Sequence, residues 1–158
     1  MKVIFLDIDG VLNNTSWLLD QNNFDNFCPD NVKIFNHIIK KTNAKVVISS
    51  TWRLNHPDLK KIFEDQGVEC DIIGYTPDLS ECKNGIYRGS ERGTEIFAWI
   101  LKNWQNENIE KFIILDDEND MGKLKEFLIQ TNMENGITGG NALQIINYLN
   151  DYKLSDFI

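Results

Sequence analysis

The chain predicts an α/β fold, a three-layer sandwich around a central parallel sheet, and three observations carry that prediction. Short apolar runs at residues 3–6 (VIFL), 45–49 (KVVIS) and 111–115 (KFIIL) have the length and β-branched content of buried strands. Stretches with helical spacing of apolar residues lie between them, the alternation that right-handed βαβ units produce. Each run also ends in polar residues: Asp7 and Asp9 after the first, Ser50 and Thr51 after the second, Asp116 and Asp117 after the third. Parallel strands bring their C-terminal ends to one edge, where open α/β sheets hold their ligand crevice. These groups should therefore converge on one site. A purely structural protein would have no reason to load one sheet edge with acids.

Taken in order, the first strand runs directly into Asp7, Ile8, Asp9 and Gly10. Strand alternation sends Asp7 and Asp9 to one side and Ile8 to the other. Two carboxylates held together repel unless a cation lies between them, and hard oxygen donors of this kind suit Mg²⁺. An Asp-Gly hairpin turn is the alternative, but no second short strand follows Gly10. Residues 13–28 are polar and aromatic without a steady period and read as a loop or flap. Pro29-Asp30-Asn31 starts a helix whose apolar positions are Val32, Phe35, Ile38 and Ile39, with His37 expected on its surface. After the second strand, Pro57 opens a helix with a stripe of Leu59, Ile62 and Phe63, ended by Gly67.

Residues 70–73 form a short strand candidate. Residues 74–90 carry Gly74, Pro77, Gly85 and Gly89 and predict turns or a small hairpin. The longest amphipathic stretch is 91–104, with Ile96, Ile100 and Trp104 on one stripe and Phe97 and Leu101 beside it. Trp99 and Trp104 read as core or rim packing. Helices are expected at about 121–128 and 141–150, joined by a short strand near 129–131. No repeat or linker interrupts the pattern, so residues 1–158 are read as one domain, with a flap at about 11–28 and an insert at about 74–90.

Composition bounds the rest. A length of 158 residues, 42% hydrophobic and 25% charged, fits a single globular domain with an ordinary core. No apolar run approaches the roughly 20 residues a membrane helix needs. Val3 leads straight into Asp7 without the basic start and apolar stretch of a signal peptide, so cytoplasmic residence is the expectation. Cys28, Cys70 and Cys82 are odd in number, lack metal-ligand spacing and read as reduced thiols filling space. The net charge of −8 argues against a broad basic surface for nucleic acid, though it leaves room for a small basic groove. Part of that charge would be offset if Asp7, Asp9, Asp116, Asp117 and Asp120 shared one metal site.

The strand-end motifs together resemble the haloacid dehalogenase (HAD) superfamily of phosphotransferases. DIDGVL meets the first HAD motif, VVISST the second and FIILDD the fourth. The third, a basic residue entering the helix before the last of these strands, is best matched by Arg92 in ERGTEIFAWI. STWR, RGTEI and LDD are most similar to the small HAD domains of RNA-repair proteins and to the 3′-phosphatase half of polynucleotide kinase–phosphatases. The resemblance implies a Rossmann-like, HAD-like sandwich and a Mg²⁺-dependent phosphomonoester hydrolase. Asp7 would be the nucleophile and Asp9 the general acid and base. That second aspartate is what the phosphatases carry and the dehalogenases lack, so dehalogenase chemistry is not expected. Mg²⁺ would be held by the Asp7 carboxylate, the Asp9 main-chain carbonyl and Asp116, with Asp117 binding directly or through water. Ser50 would bind a phosphoryl oxygen, with Ser49 or Thr51 taking its place if the register shifts by one. Arg92 would supply positive charge, with Lys83, Arg88 and Arg53 as competitors. Gly10, Thr51 and Arg53 would contact substrate, and Asp120 would support the metal site or cap the next helix.

Family members that act on small metabolites usually cover the site with a cap domain. About thirty residues separate Leu12 from the second strand and about forty separate Arg53 from Arg92, too few in either gap for a full cap. An open site suits a bulky substrate, with a polynucleotide 3′-phosphate as one candidate. Trp17, Phe24, Phe27, Trp52 and Arg53 could meet a base or an aromatic side chain, although packing is their commoner role. A phosphoprotein or small-molecule phosphatase is the alternative reading. A non-catalytic binding module is a third, opposed by the intact Asp7 and Asp9.

Overall fold

Residues 1–21 and 25–151 are described by the computed structural model. The chain begins with β1 (Lys2–Leu6), α1 (Thr15–Gln21), α2 (Pro29–Thr42) and β2 (Lys45–Ile48). Next come α3 (Trp52–Asn55), α4 (Leu59–Asp65), β3 (Ile72–Tyr75) and a hairpin of β4 (Glu81–Lys83) and β5 (Ile86–Arg88). After α5 (Arg92–Asn103) and β6 (Lys111–Asp116), a 3-10 helix (Gly122–Phe127), β7 (Leu128–Gln130) and α6 (Gly139–Asn150) close the fold. Five strands form one parallel sheet in the order β3-β2-β1-β6-β7.

Alternation along the central strands supplies both faces of the sandwich. Ile4, Leu6, Val46, Ile48, Ile113 and Leu115 join Phe35 and Ile38 of α2 and Ile145 and Leu149 of α6 in one core. Val3, Phe5, Val47 and Ile114 meet Ile96 and Trp99 of α5, with Met121 and Leu124, in the other. The Phe5 and Trp99 rings meet edge to face at 5.5 Å. Three layers around a parallel sheet are thus the architecture, as expected. Among the described residues no segment folds as a separate cap domain, and no helix is long and apolar enough to cross a membrane.

Several elements differ from the sequence expectation, each for a physical reason. Part of the expected flap is α1, capped where Asn14 Oδ1 accepts the Trp17 N–H at 2.9 Å. Phe24 lies outside the described residues. Helix α3 is a single turn, too short to show a period. The stretch after Met121 is a 3-10 helix, not α. Strand β3 starts two residues later than expected and includes Gly74, where a Cβ would stand 2.9 Å from Trp99 Nε1. Within residues 74–90, read as turns or a small hairpin, β4 and β5 pair as a hairpin turned at Asn84 and Gly85 with φ of 53° and 75°, the primed geometry that suits twisted strands. In α5 the buried face is Gly93, Glu95, Ile96 and Trp99, while Phe97, Leu101 and Trp104 are exposed. One layer of helix on a sheet buries only a narrow stripe, so the second apolar row faces outward. Cys28 is buried, Cys70 half-buried and Cys82 exposed on the hairpin, so Cys82 fills no core space.

Candidate active site

Strand register assembles the site. Leu6 pairs with Ile48 on one side and Leu115 on the other, so one residue further on Asp7 stands between Ser49 and Asp116. The ladder continues to that row, with Asp7 N–H donating to Leu115 O at 2.9 Å and Ser49 N–H to Leu6 O at 3.0 Å. Asp7, Ser49 and Asp116 follow Phe5, Val47 and Ile114 by two residues and share the face packed by α5. Asp7, Asp116 and Asp117 each offer a carboxylate oxygen within 4.8 Å of the others.

Arg92, the first residue of α5, reaches into this cluster. Its Nη1 lies 3.0 Å from Asp7 Oδ1 and 3.3 Å from Asp116 Oδ2. Burial raises the Asp7 carboxyl above the usual range, with Arg92 opposing the rise and Asp117 adding to it. Asp116 is also raised, by burial first and then by the Asp7 charge. The donors themselves fit a hard divalent cation. Asp116 Oδ1 accepts the Glu118 N–H at 2.9 Å, whereas buried Oδ2 accepts no hydrogen bond. Three converging carboxylates, one with a buried oxygen that accepts no hydrogen bond and meets only the Arg92 charge at 3.3 Å, match the coordination Mg²⁺ takes alongside water and phosphate.

The entry of α5 is built to place Arg92. Asp120 does not cap the helix that follows it. Its Oδ2 accepts the Arg92 N–H at 3.1 Å and its carbonyl accepts the Gly93 N–H at 3.0 Å, which ties down the start of α5. A Cβ on Gly93 would stand 2.1 Å from Met121 O, so only glycine permits this approach.

Asp9 does not enter the acidic cluster. Its Oδ1 accepts from Asn13 Nδ2 at 2.8 Å and its Oδ2 from the Trp52 indole at 3.0 Å. Asn13 Oδ1 in turn accepts the Gly10 N–H at 2.9 Å. Gly10 has a φ of 76° and a Cβ there would meet the Asp117 carboxyl at 2.7 Å, so it shapes the site by lacking a side chain. Sequence reading missed Asn13 as a site residue and considered Trp52 only for substrate contact. A polar residue four positions after Asp9 and a tryptophan beside the second strand were the available signals.

The other expected residues divide. Ser50 is buried and its Oγ accepts the Trp52 N–H at 3.3 Å, while Thr51 is exposed. Ser49, the neighbour of Asp7, is buried with its hydroxyl unpartnered among the described residues. Arg53 is turned away from any substrate, because all five of its donors are spent inside the protein. Nε donates to Thr76 O (2.8 Å), Nη1 to Ser49 O (3.0 Å) and Ser50 O (2.9 Å), and Nη2 to Pro77 O (3.1 Å) and Glu95 Oε2 (2.8 Å). Lys83 and Arg88 are exposed on the hairpin, Lys83 beside Glu81 at 3.3 Å. Of the four basic candidates, Arg92 is the one that ion-pairs with the acids. Phe27 is core, edge to face with Phe63 at 5.5 Å, and Trp17 is half-buried on α1.

A parallel α/β sandwich with a carboxylate row at one strand edge, countered by a helix-borne arginine, defines a HAD-type phosphatase-like domain. Residues 3–142 of the 158 match the family described as HAD domain in Swiss Army Knife RNA repair proteins, and the chain belongs to that family. No curated protein matches it.

Proposed function

We propose that the protein is a Mg²⁺-dependent phosphomonoester hydrolase that acts on the phosphorylated end of a polynucleotide, the 3′-phosphate first among such ends. The observation that carries this reading is the convergence of Asp7, Asp116 and Asp117 around Arg92 at the C-terminal edge of the sheet. Membership of an RNA-repair family supports the substrate class, and the absence of a cap domain among the described residues leaves room for a strand outside the site.

In the first step an Asp7 carboxylate oxygen attacks phosphorus in line and the phosphorus–oxygen bond to the leaving alcohol breaks. Asp9 gives its proton to that oxygen, leaving an aspartyl-phosphate on Asp7. A water then attacks the same phosphorus while Asp9 takes its proton, which frees phosphate and restores both side chains. Arg92 stabilises charge on the phosphoryl oxygens. Ser49, on the face of Asp7 with a free hydroxyl, is the best placed of the three hydroxyl residues to bind one of those oxygens. Asp7, Asp116 and the Asp9 carbonyl, with Asp117 directly or through water, would hold Mg²⁺, which would supply charge neutralisation and orientation.

Phosphate release tests the reading, measured with Mg²⁺ or EDTA on a 3′-phosphorylated oligonucleotide, phosphotyrosine and phosphoserine peptides, and p-nitrophenyl phosphate. Selective, Mg²⁺-dependent release from the oligonucleotide, lost in Asp7→Asn with the fold intact, is expected. Preference for a peptide would make it a protein phosphatase. Release from nothing would overturn the enzyme.

A further inference from the structure

The grip on Asp9 is more than the proposed chemistry by itself requires. Two donors from separate segments each take one carboxylate oxygen, Asn13 Nδ2 at 2.8 Å and Trp52 Nε1 at 3.0 Å. Asn13 is fully buried, and its amide is fixed at the other end by the Gly10 N–H. Trp52 is buried in α3, stacked on His56 at 4.2 Å and tilted against Phe27 at 5.6 Å. A ring held by neighbours in this way presents its N–H along one line, aimed at Asp9 Oδ2. With both oxygens tethered, the carboxyl can neither rotate nor swing. Each oxygen keeps a further lone pair, on which the transferable proton can sit.

We propose that Trp52 and Asn13 are positioning residues that hold the Asp9 carboxyl at the leaving-group oxygen. This rests on the phosphatase reading above and deepens it. The fixed acid favours phosphate esters of ordinary alcohols, such as a sugar hydroxyl, because an alkoxide cannot leave without a proton. A nitrophenolate leaves without one, so a nitrophenyl ester gains little from the same placement.

The test compares kcat/KM for a 3′-phosphorylated oligonucleotide and for p-nitrophenyl phosphate in wild type, Trp52→Phe and Asn13→Ala. General acid catalysis contributes about 10²–10⁴-fold, so a misplaced acid should cost the oligonucleotide at least roughly 10-fold more than the nitrophenyl ester. An unchanged ratio, with both substrates losing equally or neither losing, overturns the proposal. A wild type without Asp7-dependent turnover removes the phosphatase reading and this one together; turnover with an unchanged ratio removes this one alone. Should Trp52→Phe fail to fold, proton–nitrogen spectra decide the contact independently. One of the indole signals from the four tryptophans should move in Asp9→Ala, and four stationary signals would overturn it.

Discussion

Half-buried Arg92 and fully buried Asp116 show how one ion pair prepares a site for a further charge. Asp116 has no solvent exposure, and its raised carboxyl holds a proton more tightly when folded than when unfolded. The unfolded chain releases that proton first, from a pKa of about 4, so metal-free stability should fall as pH rises past that point. Asp116→Asn is therefore expected to raise the melting temperature in EDTA at pH 8, by several degrees if about 1–2 kcal/mol is recovered. Mg²⁺ should stabilise the wild type and not this variant, read by thermal shift. Arg92→Ala should lower kcat by about 10²-fold or more and destabilise the fold more at pH 8 than at pH 5, where the acids can hold protons. Thiol labelling should separate the cysteines: exposed Cys82 reacts fastest in the native state, while half-buried Cys70, with its thiol pushed up to about 12 by burial, reacts far more slowly until the chain unfolds. The acids were legible in the sequence because they end apolar strands. The roles of Asn13 and Trp52 were not, since their shared partner is set by tertiary folding. Arg53 misled for the same reason, because nothing local distinguishes an arginine that binds substrate from one that binds carbonyls.

At the scale of elements, the entry of α5 is the most constrained junction. Its first turn must carry Arg92 to the acids while passing within contact of Met121, and Gly93 with the Asp120 cap makes that path. Gly93→Ala should push the helix away from Met121, costing about 1–3 kcal/mol in stability, and should lower kcat through the displaced Arg92. Denaturant melts alongside turnover would check it. The Arg53–Glu95 pair joins the ends of β2 and β3 to α5, and both side chains are buried. Glu95→Gln leaves Arg53 without its counter-charge and should cost about 3–5 kcal/mol, a fall of roughly 10 °C in melting temperature. Strands, the hairpin and the long helices could be read from periodicity and turn residues. One-turn α3 could not, nor could the 3-10 type of the helix expected after Met121, and the second apolar row of α5 widened the predicted stripe beyond what one sheet face can cover.

Across the whole molecule, an acidic chain with net charge −8 must accept an anionic strand if the proposed substrate is right. Such an enzyme should lack the steep salt dependence of basic nucleic-acid binders. Its kcat/KM on a 3′-phosphorylated oligonucleotide is expected to stay level or rise between roughly 20 and 200 mM salt, as screening weakens repulsion. A steep fall would reveal a basic groove instead. The sheet, its parallel order and the converging edge follow from strand spacing; the orientation of each side chain at that edge needed the register. The Arg53 clamp has a further bearing on how such a domain can diversify. It holds the arm leading to the hairpin by main-chain atoms, the carbonyls of Thr76 and Pro77, and Glu95 accepts the Leu79 N–H at 3.2 Å. Those attachments do not depend on which side chains the arm carries. The hairpin beyond is thus an exchangeable part on a fixed socket, and its side chains can change without moving the acids at the strand edge.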